Sequence, residues 1–239
     1  WIVGDESDDA SSGIWELAIP VATYNDDNIQ IQPGNDNSNE GENCFITGNG
    51  YEEGNGGFDD VDGGKTTLIS PVFNLSGVDE VVATYWRWYT NNIGDNGNSD
   101  KWTVSVSNNN GVTWETLEYT GASDASWSKK RFILSNHITL NENVQFKFIA
   151  EDIFYDGDAG SGGSLVEAAI DDFLLEYISD GSGIQGDVNN DGEVDVLDVV
   201  VLVNVILDFE SPTPGADVNY DGTINIQDIV TLINIILDQ

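Results

Sequence analysis

Two short stretches near the C-terminus carry oxygen-bearing side chains at the spacing of a calcium loop. The first is Asp187, Asn189, Asp191, Asp195 and Asp198 around Gly192; the second, thirty residues on, is Asp217, Asn219, Asp221, Asn225 and Asp228 around Gly222. Counted from its first Asp, each loop has side-chain oxygens at positions 1, 3, 5, 9 and 12, glycine at 6, and Val194 or Ile224 at 8. A hard cation takes six to eight oxygens at about 2.3–2.6 Å, so such a loop turns sharply at glycine, offers the position-7 carbonyl and closes with a carboxylate. Glu193 and Thr223 supply that carbonyl, and the closing residue is Asp in both copies, shorter than the usual Glu. One acidic turn arises by chance. Two in register, each running into an apolar stretch, favour calcium over a solvated turn.

The elements that must hold these loops come directly after them in the chain. Val196–Leu207 has ten apolar residues in twelve, and Ile226–Leu237 is nearly as apolar. Two such helices cannot hide both surfaces against each other, so something else is expected to cover them: the rest of the chain or another molecule. Val200 and Val203 are the expected interface positions on the first helix.

With no helix pattern ahead of either loop and Asp at position 12, the unit resembles a type I dockerin over about residues 184–239. The resemblance implies a small module holding two calcium ions, which docks on a cohesin domain and so attaches a secreted protein to a scaffold. Recognition in the best-known members uses a Ser/Thr pair at loop positions 10 and 11 and later basic residues. Here those positions are Val196-Leu197 and Ile226-Gln227, and the segment has no Lys or Arg.

Composition points the same way. The chain has 43 acidic and 7 basic residues, a formal charge of −36, which disfavours nucleic acid or anionic lipid as partner and calls for bound cations. Eleven acids and no base in residues 184–239 leave −25 on the remainder, so the larger region is also expected to hold calcium. Cys44 is the single cysteine, which excludes an internal disulfide and leaves divalent metal as the staple. No apolar run reaches the ~20 residues of a membrane span, and no signal-like stretch is legible. The chain opens on Trp1, not Met, and is expected to be a processed or excised product located outside the cell.

Ahead of a Gly/Ser linker at residues 178–186, apolar and polar residues alternate in short runs. These are Thr67–Phe73, Glu80–Tyr89, Trp102–Ser107, Thr113–Tyr119, Ser128–Leu134, Val144–Ala150 and Val166–Glu176, separated by Asn/Gly/Asp turns. The expected fold is mainly β: an antiparallel jelly-roll sandwich over residues 1–177, then a small α-helical calcium module over 187–239. The first sixty-odd residues show the weakest pattern. The stretches Asp59–Ser76, Tyr85–Tyr89, Val106–Trp114 and Val166–Phe173 resemble jelly-roll accessory domains akin to MAM and cleaved-adhesin domains of secreted bacterial proteins. That resemblance implies an adhesive or binding module, not a catalyst.

Acids cluster at the ends of two of these runs: Asp59, Asp60 and Asp62, and Glu167, Asp171 and Asp172. They fit a further structural calcium, with Asp62 and Asp172 as leading ligands, better than a solvated surface, and either better than the paired carboxylates of a glycosidase. The single histidine, His137, has no nucleophile motif around it. Along Tyr85–Tyr89 the strand period sets Tyr85, Arg87 and Tyr89 on one face and Trp86 and Trp88 on the other, so one set is core and the other faces outward. An outward aromatic stripe stacks on sugar, packs on another subunit or props the sandwich rim. Trp1, Ile2 and Val3 would suit a strand added to a neighbour's sheet edge. Asn74-Leu75-Ser76 is a glycosylation sequon. Together these features lead to a secreted, non-enzymatic, calcium-stabilised adhesive or structural protein, a subunit of an extracellular fibre or attachment assembly, whose partners are other copies of itself or a cell-surface scaffold. The alternative is a carbohydrate-binding fragment of a larger secreted hydrolase, anchored through its dockerin-like end.

Overall fold

Strict alternation is clearest along Gln145–Asp152, where Phe146, Phe148, Ala150 and Asp152 are buried and the residues between them half-exposed. Period-2 patterns of this kind build a sheet with one face on a core. The computed structural model describes residues 1–38, 41–50, 56–57, 59–78, 80–94, 96–153, 163–178, 185–189, 191–207, 213–219 and 223–237. Its strands are β1 (Ile2–Val3), β2 (Trp15–Ala18), β3 (Thr23–Tyr24), β4 (Gln30–Gln32), β5 (Cys44–Thr47), β6 (Gly64–Ile69), β7 (Glu80–Thr90), β8 (Trp102–Ser107), β9 (Glu115–Thr120), β10 (Asp124–Ile133), β11 (Gln145–Asp152) and β12 (Glu167–Ile178). The helices α1 (Val196–Ile206) and α2 (Ile226–Leu237) come last. All seven expected strands are present as β6 to β12. The chain divides into two compact units, Trp1–Gly77 with Val81–Glu176, and Tyr177–Gln239 with Val78–Glu80. Most of the expected linker lies outside the described residues.

The first unit is a sandwich of two five-stranded sheets, ordered β1-β6-β11-β8-β9 and β10-β7-β12-β5-β2, with β3 and β4 as a separate ribbon. Aromatic rings fill the space between the sheets. Tyr85 of β7 meets Phe148 of β11 edge-on at 5.2 Å, and Tyr89 meets Trp102 of β8 at 5.9 Å. Among these rings lies a charge: Arg87 is 2% exposed, and its guanidinium pairs with Glu118 of β9 (2.6 Å) and with Asp124 of β10. The Tyr85 hydroxyl and the Trp102 indole N–H also donate to Glu118. A buried guanidinium is tolerated because its charge is matched by these two carboxylates.

The packing selects among the alternatives left open for the aromatic stripe and corrects the expectation for the N-terminal strand. Trp86 and Trp88 do not form an open stripe: Trp88 is buried, its indole N–H donates to the Ile31 carbonyl at 2.6 Å, and Trp127 donates to the Asn35 carbonyl at 3.1 Å. The segment from β4 to Asn35 therefore lies over that face, and only Trp86 and Trp127 stay half-exposed. The N-terminal strand has its own acceptor. Ile2 pairs with Ile69 and Val3 with Leu68 on β6, while Trp1 sits against the rings of Phe45 (5.0 Å), Phe173 (5.4 Å) and Phe148 (5.9 Å). Contact of the indole with three rings helps hold β1 on this chain's own sheet edge, although Trp1 keeps part of its surface exposed.

In the second unit, α1 and α2 close one small core of Val188, Val194, Leu202, Val205, Ala216, Val218 and Leu232. Both loops contribute to it, so neither repeat has a core of its own.

Candidate functional site

The loop carboxylates act first as acceptors for the loop backbone. Asp187 takes the N–H groups of Asp191 (3.1 Å) and Gly192 (2.9 Å), Asn189 takes that of Asp191 (2.8 Å), and Asp191 takes that of Glu193 (2.9 Å). Gly192 has φ +92°, a left-handed value that favours glycine at the sharp turn. Asp198 spans the loop, accepting from Asn189 at 2.9 Å with one oxygen and from Asp195 at 2.8 Å with the other. Asp195 caps α1 by accepting from Leu197 at 2.7 Å. The second loop repeats the pattern: Asp228 accepts from Asn219 (3.1 Å) and Asn225 (2.8 Å), and Asn225 from Gln227 (2.8 Å). Asp217 and Thr223 stand at their expected loop positions, while Asp221 lies outside the described residues.

Among the described residues no three Asp, Glu, His or Cys side chains converge as a ready metal cluster. The fit to a cation rests on something else. Asp198 and Asp228 are both 0% exposed, in a segment with no Lys or Arg to neutralise them. Each is wrapped by a loop whose remaining donors are all oxygens, a set that suits a hard divalent ion.

In the sandwich the expected acids do not gather in one place. Asp60 and Glu167 are buried side by side, because Val61 and Val166 bridge antiparallel and bring their neighbours opposite one another. Asp171 and Asp172 lie four and five residues farther along β12, roughly 13 Å away at strand rise. There the Asn37 N–H and Ser38 hydroxyl donate to Asp171, and the Asn37 amide and Ser38 hydroxyl to Asp172. Asp62 accepts from the Ser12 hydroxyl at 3.2 Å. One ion cannot draw both on Asp60 with Glu167 and on Asp171 with Asp172, so the six acids expected to supply at least one further calcium do not meet at one place. Burial, and then the Asp62 charge, push the Asp60 carboxyl up to about 8. Glu167 is driven well above the usual carboxylate range by burial first and the Asp60 charge second.

His137 is exposed at the end of a short turn, and Asn74 is exposed with its side chain accepting from the Ser76 N–H and hydroxyl.

Residues 185–237 match the dockerin type I domain family. No curated protein matches the chain. Among solved structures, the chain is similar to TmCBM61 in complex with β-1,4-galactotriose at 13% identity and TM-score 0.34, covering 68% of this chain and 88% of that one. It is similar to the K1 cleaved adhesin domain of Lys-gingipain from Porphyromonas gingivalis W83 at 13% identity and TM-score 0.35, covering 74% and 97%. It is also similar to a xylan-binding domain from CBM 22 at 6% identity and TM-score 0.34, covering 68% and 86%. At such identities these likenesses say nothing of ligand.

The dockerin unit displays its apolar residues in duplicate. Val196, Leu197, Val200 and Leu207 are exposed, and so, thirty residues on, are Ile226, Val230 and Leu237. Val203 is half-buried, whereas Ile233 at the equivalent place is exposed. Loop positions 10 and 11 thus open the stripe on each helix. Among the described residues no helix is long and apolar enough to cross a membrane.

Proposed function

We propose that this chain is a non-catalytic, scaffold-attached binding protein of the extracellular space. Its dockerin unit, folded around two calcium ions, docks on a cohesin-type protein domain, and its sandwich holds a carbohydrate. The observation that carries this reading is the duplicated stripe of exposed Val, Leu and Ile on α1 and α2, which sits directly after the two calcium loops. Covering one such side chain is worth roughly 1.5–3 kcal/mol, so a stripe of several supplies a stable docking energy. Because Val196-Leu197 and Ile226-Gln227 occupy the loop positions that open the stripe, the partner needs an apolar pocket there, not hydroxyl-reading polar groups.

In this reading the first ion is held by Asp187, Asn189, Asp191, Asp198 and the Glu193 carbonyl, the second by Asp217, Asn219, Asp221, Asp228 and the Thr223 carbonyl. Asp195 and Asn225 act through water. The ions fix the loop ends of both helices, and with them the spacing of the stripe.

For the sandwich, the half-exposed indoles of Trp86 and Trp127 lie on one sheet face, where Trp86 pairs across the ladder with exposed Lys129. An open aromatic ring beside a polar donor is the kind of surface on which a sugar ring stacks. Hydrolysis by Asp60 and Glu167 is not favoured: the two carboxylates are 2% and 1% exposed, closed to a polysaccharide chain.

The test uses the full chain in calcium, measured against a panel of purified cohesin domains and by co-sedimentation with insoluble polysaccharides. Changing Val200 and Val230 together to Asp is expected to abolish cohesin capture and spare polysaccharide retention, while Trp86→Ala with Trp127→Ala does the reverse. A parent chain that binds no cohesin and no polysaccharide but forms head-to-tail polymers in calcium would overturn the reading in favour of an extracellular fibre subunit.

A further inference from the structure

The buried pair in the sandwich raises a separate question, independent of docking and of sugar binding. Asp60 lies just ahead of β6 and Glu167 opens β12, and the Val61 N–H bonds the Val166 carbonyl at 2.9 Å, locking the two segments together. Glu167 is held firmly. One of its oxygens accepts from the Gln32 amide at 2.9 Å and from the Thr47 hydroxyl at 3.2 Å; the other, also buried, has no hydrogen-bond partner. The same Gln32 amide reaches the Thr47 and Gly48 carbonyls, each at 2.9 Å, which brings main-chain oxygens to the spot. Gly48 adds another. It has φ +40° and lies so close to the Asp59 carbonyl that a β-carbon there would fall 1.7 Å from the oxygen.

Two carboxylates taken out of water side by side repel each other and lose their hydration, and they are stable only with a shared proton or a bound cation. Among the described residues no Lys or Arg ion-pairs with either: the ion pairs of Arg87 and Lys130 go to Glu118 and Asp124. Asp60 and Glu167 nevertheless lie near buried main-chain oxygens, with one Glu167 oxygen unspent. We infer that Asp60 and Glu167 are first ligands of a buried calcium ion that joins the start of β12 to the segment before β6. The oxygen-only donors, carbonyls and carboxylates in an irregular arrangement, suit calcium better than magnesium, which demands a near-ideal octahedron and keeps its waters.

Such an ion would staple the start of β12 to the segment between β5 and β6 in a chain whose single cysteine can form no internal disulfide. It would also offset part of the −36 formal charge.

The experiment counts calcium bound to the full chain by elemental analysis after dialysis, and tracks thermal unfolding of the sandwich with and without chelator. Glu167→Gln and Asp60→Asn, each close in shape to the parent residue, are expected to bind one calcium fewer per chain and to lose the calcium-dependent rise in melting temperature. Asp198→Ala, in the dockerin unit, removes a different ion, so its loss must add to that of Glu167→Gln; failure of the dockerin reading leaves this result untouched. An unchanged calcium count in both sandwich variants overturns the inference. If in addition Glu167→Gln melts higher than the parent in chelator, the pair shares a proton instead.

Discussion

Asp198 is one of the two buried carboxylates that bridge the loops of the dockerin unit, and its truncation to Ala separates the structural from the metal-binding share of a single carboxylate. Asp198 is fully buried and its oxygens take the N–H groups of Asn189 and Asp195, one from the loop entrance and one from the residue that caps α1. Each of these part-buried N–H groups left without an acceptor costs up to roughly 1–3 kcal/mol, so the pair costs at most about 2–6 kcal/mol before any loss of calcium is counted. Whole domains are stable by only about 5–15 kcal/mol, and a unit of this size belongs at the low end. The expected result of Asp198→Ala is one bound calcium fewer and fast amide hydrogen exchange throughout α1. Because Leu202 and Val205 of α1 share a core with Leu232 of α2, exchange along α2 should accelerate too. Asp198→Asn retains an acceptor but removes the charge, so it should weaken calcium binding while disturbing α1 less. Retention of both ions, with α1 protection equal to that of the parent, would refute the assignment of Asp198 as the closing ligand and as the loop's main hydrogen-bond bridge.

Three further outcomes test the sandwich. Arg87→Met leaves Glu118 in the interior without its counter-charge, a loss of about 3–5 kcal/mol for a broken buried pair, read as a lower urea midpoint that Glu118→Gln partly restores in the double variant. The same variant bears on pH. Burial, the largest effect on Asp124, would raise its carboxyl, but hydrogen bonds from Lys130, Arg87 and Ser128 outweigh it and hold the group at about 2 against an ordinary 3.8. A depressed carboxylate stabilises the fold above its unfolded value and loses that contribution as the pH falls through the folded one. The parent should therefore weaken between about pH 4 and about pH 2, and Arg87→Met should flatten that part of the curve. Gly48→Ala drives a β-carbon into the Asp59 carbonyl and should prevent stable folding, whereas Gly77→Ala, with φ +77° and nothing within 4 Å, should cost only about 1 kcal/mol in melting experiments.

How much the sequence reveals depends on how local each signal is. The calcium loops are legible because every expected ligand lies within twelve residues of the first, and duplication repeats the message. Strands β6 to β12 are legible because six to twelve residues of alternation fix a face. Strands β1 to β5 span two to four residues each, too few for a period to show, and they are placed by long-range partners: β1 by β6, and β2 by β5. The same limit explains Trp1-Ile2-Val3. Apolarity at a terminus says that a strand seeks a sheet edge, but whose edge is decided by the Phe45, Phe148 and Phe173 rings, which come together only in the folded sandwich. It explains the acids as well. Counting charge locates Asp60 and Asp62 equally, and Glu167 and Asp172 equally; only the bridge of Val61 to Val166 puts one member of each group face to face inside and leaves the others on hydroxyls and amides. Net charge thus says that a chain of this kind attracts cations, while the register of two distant segments decides which carboxylates are buried together.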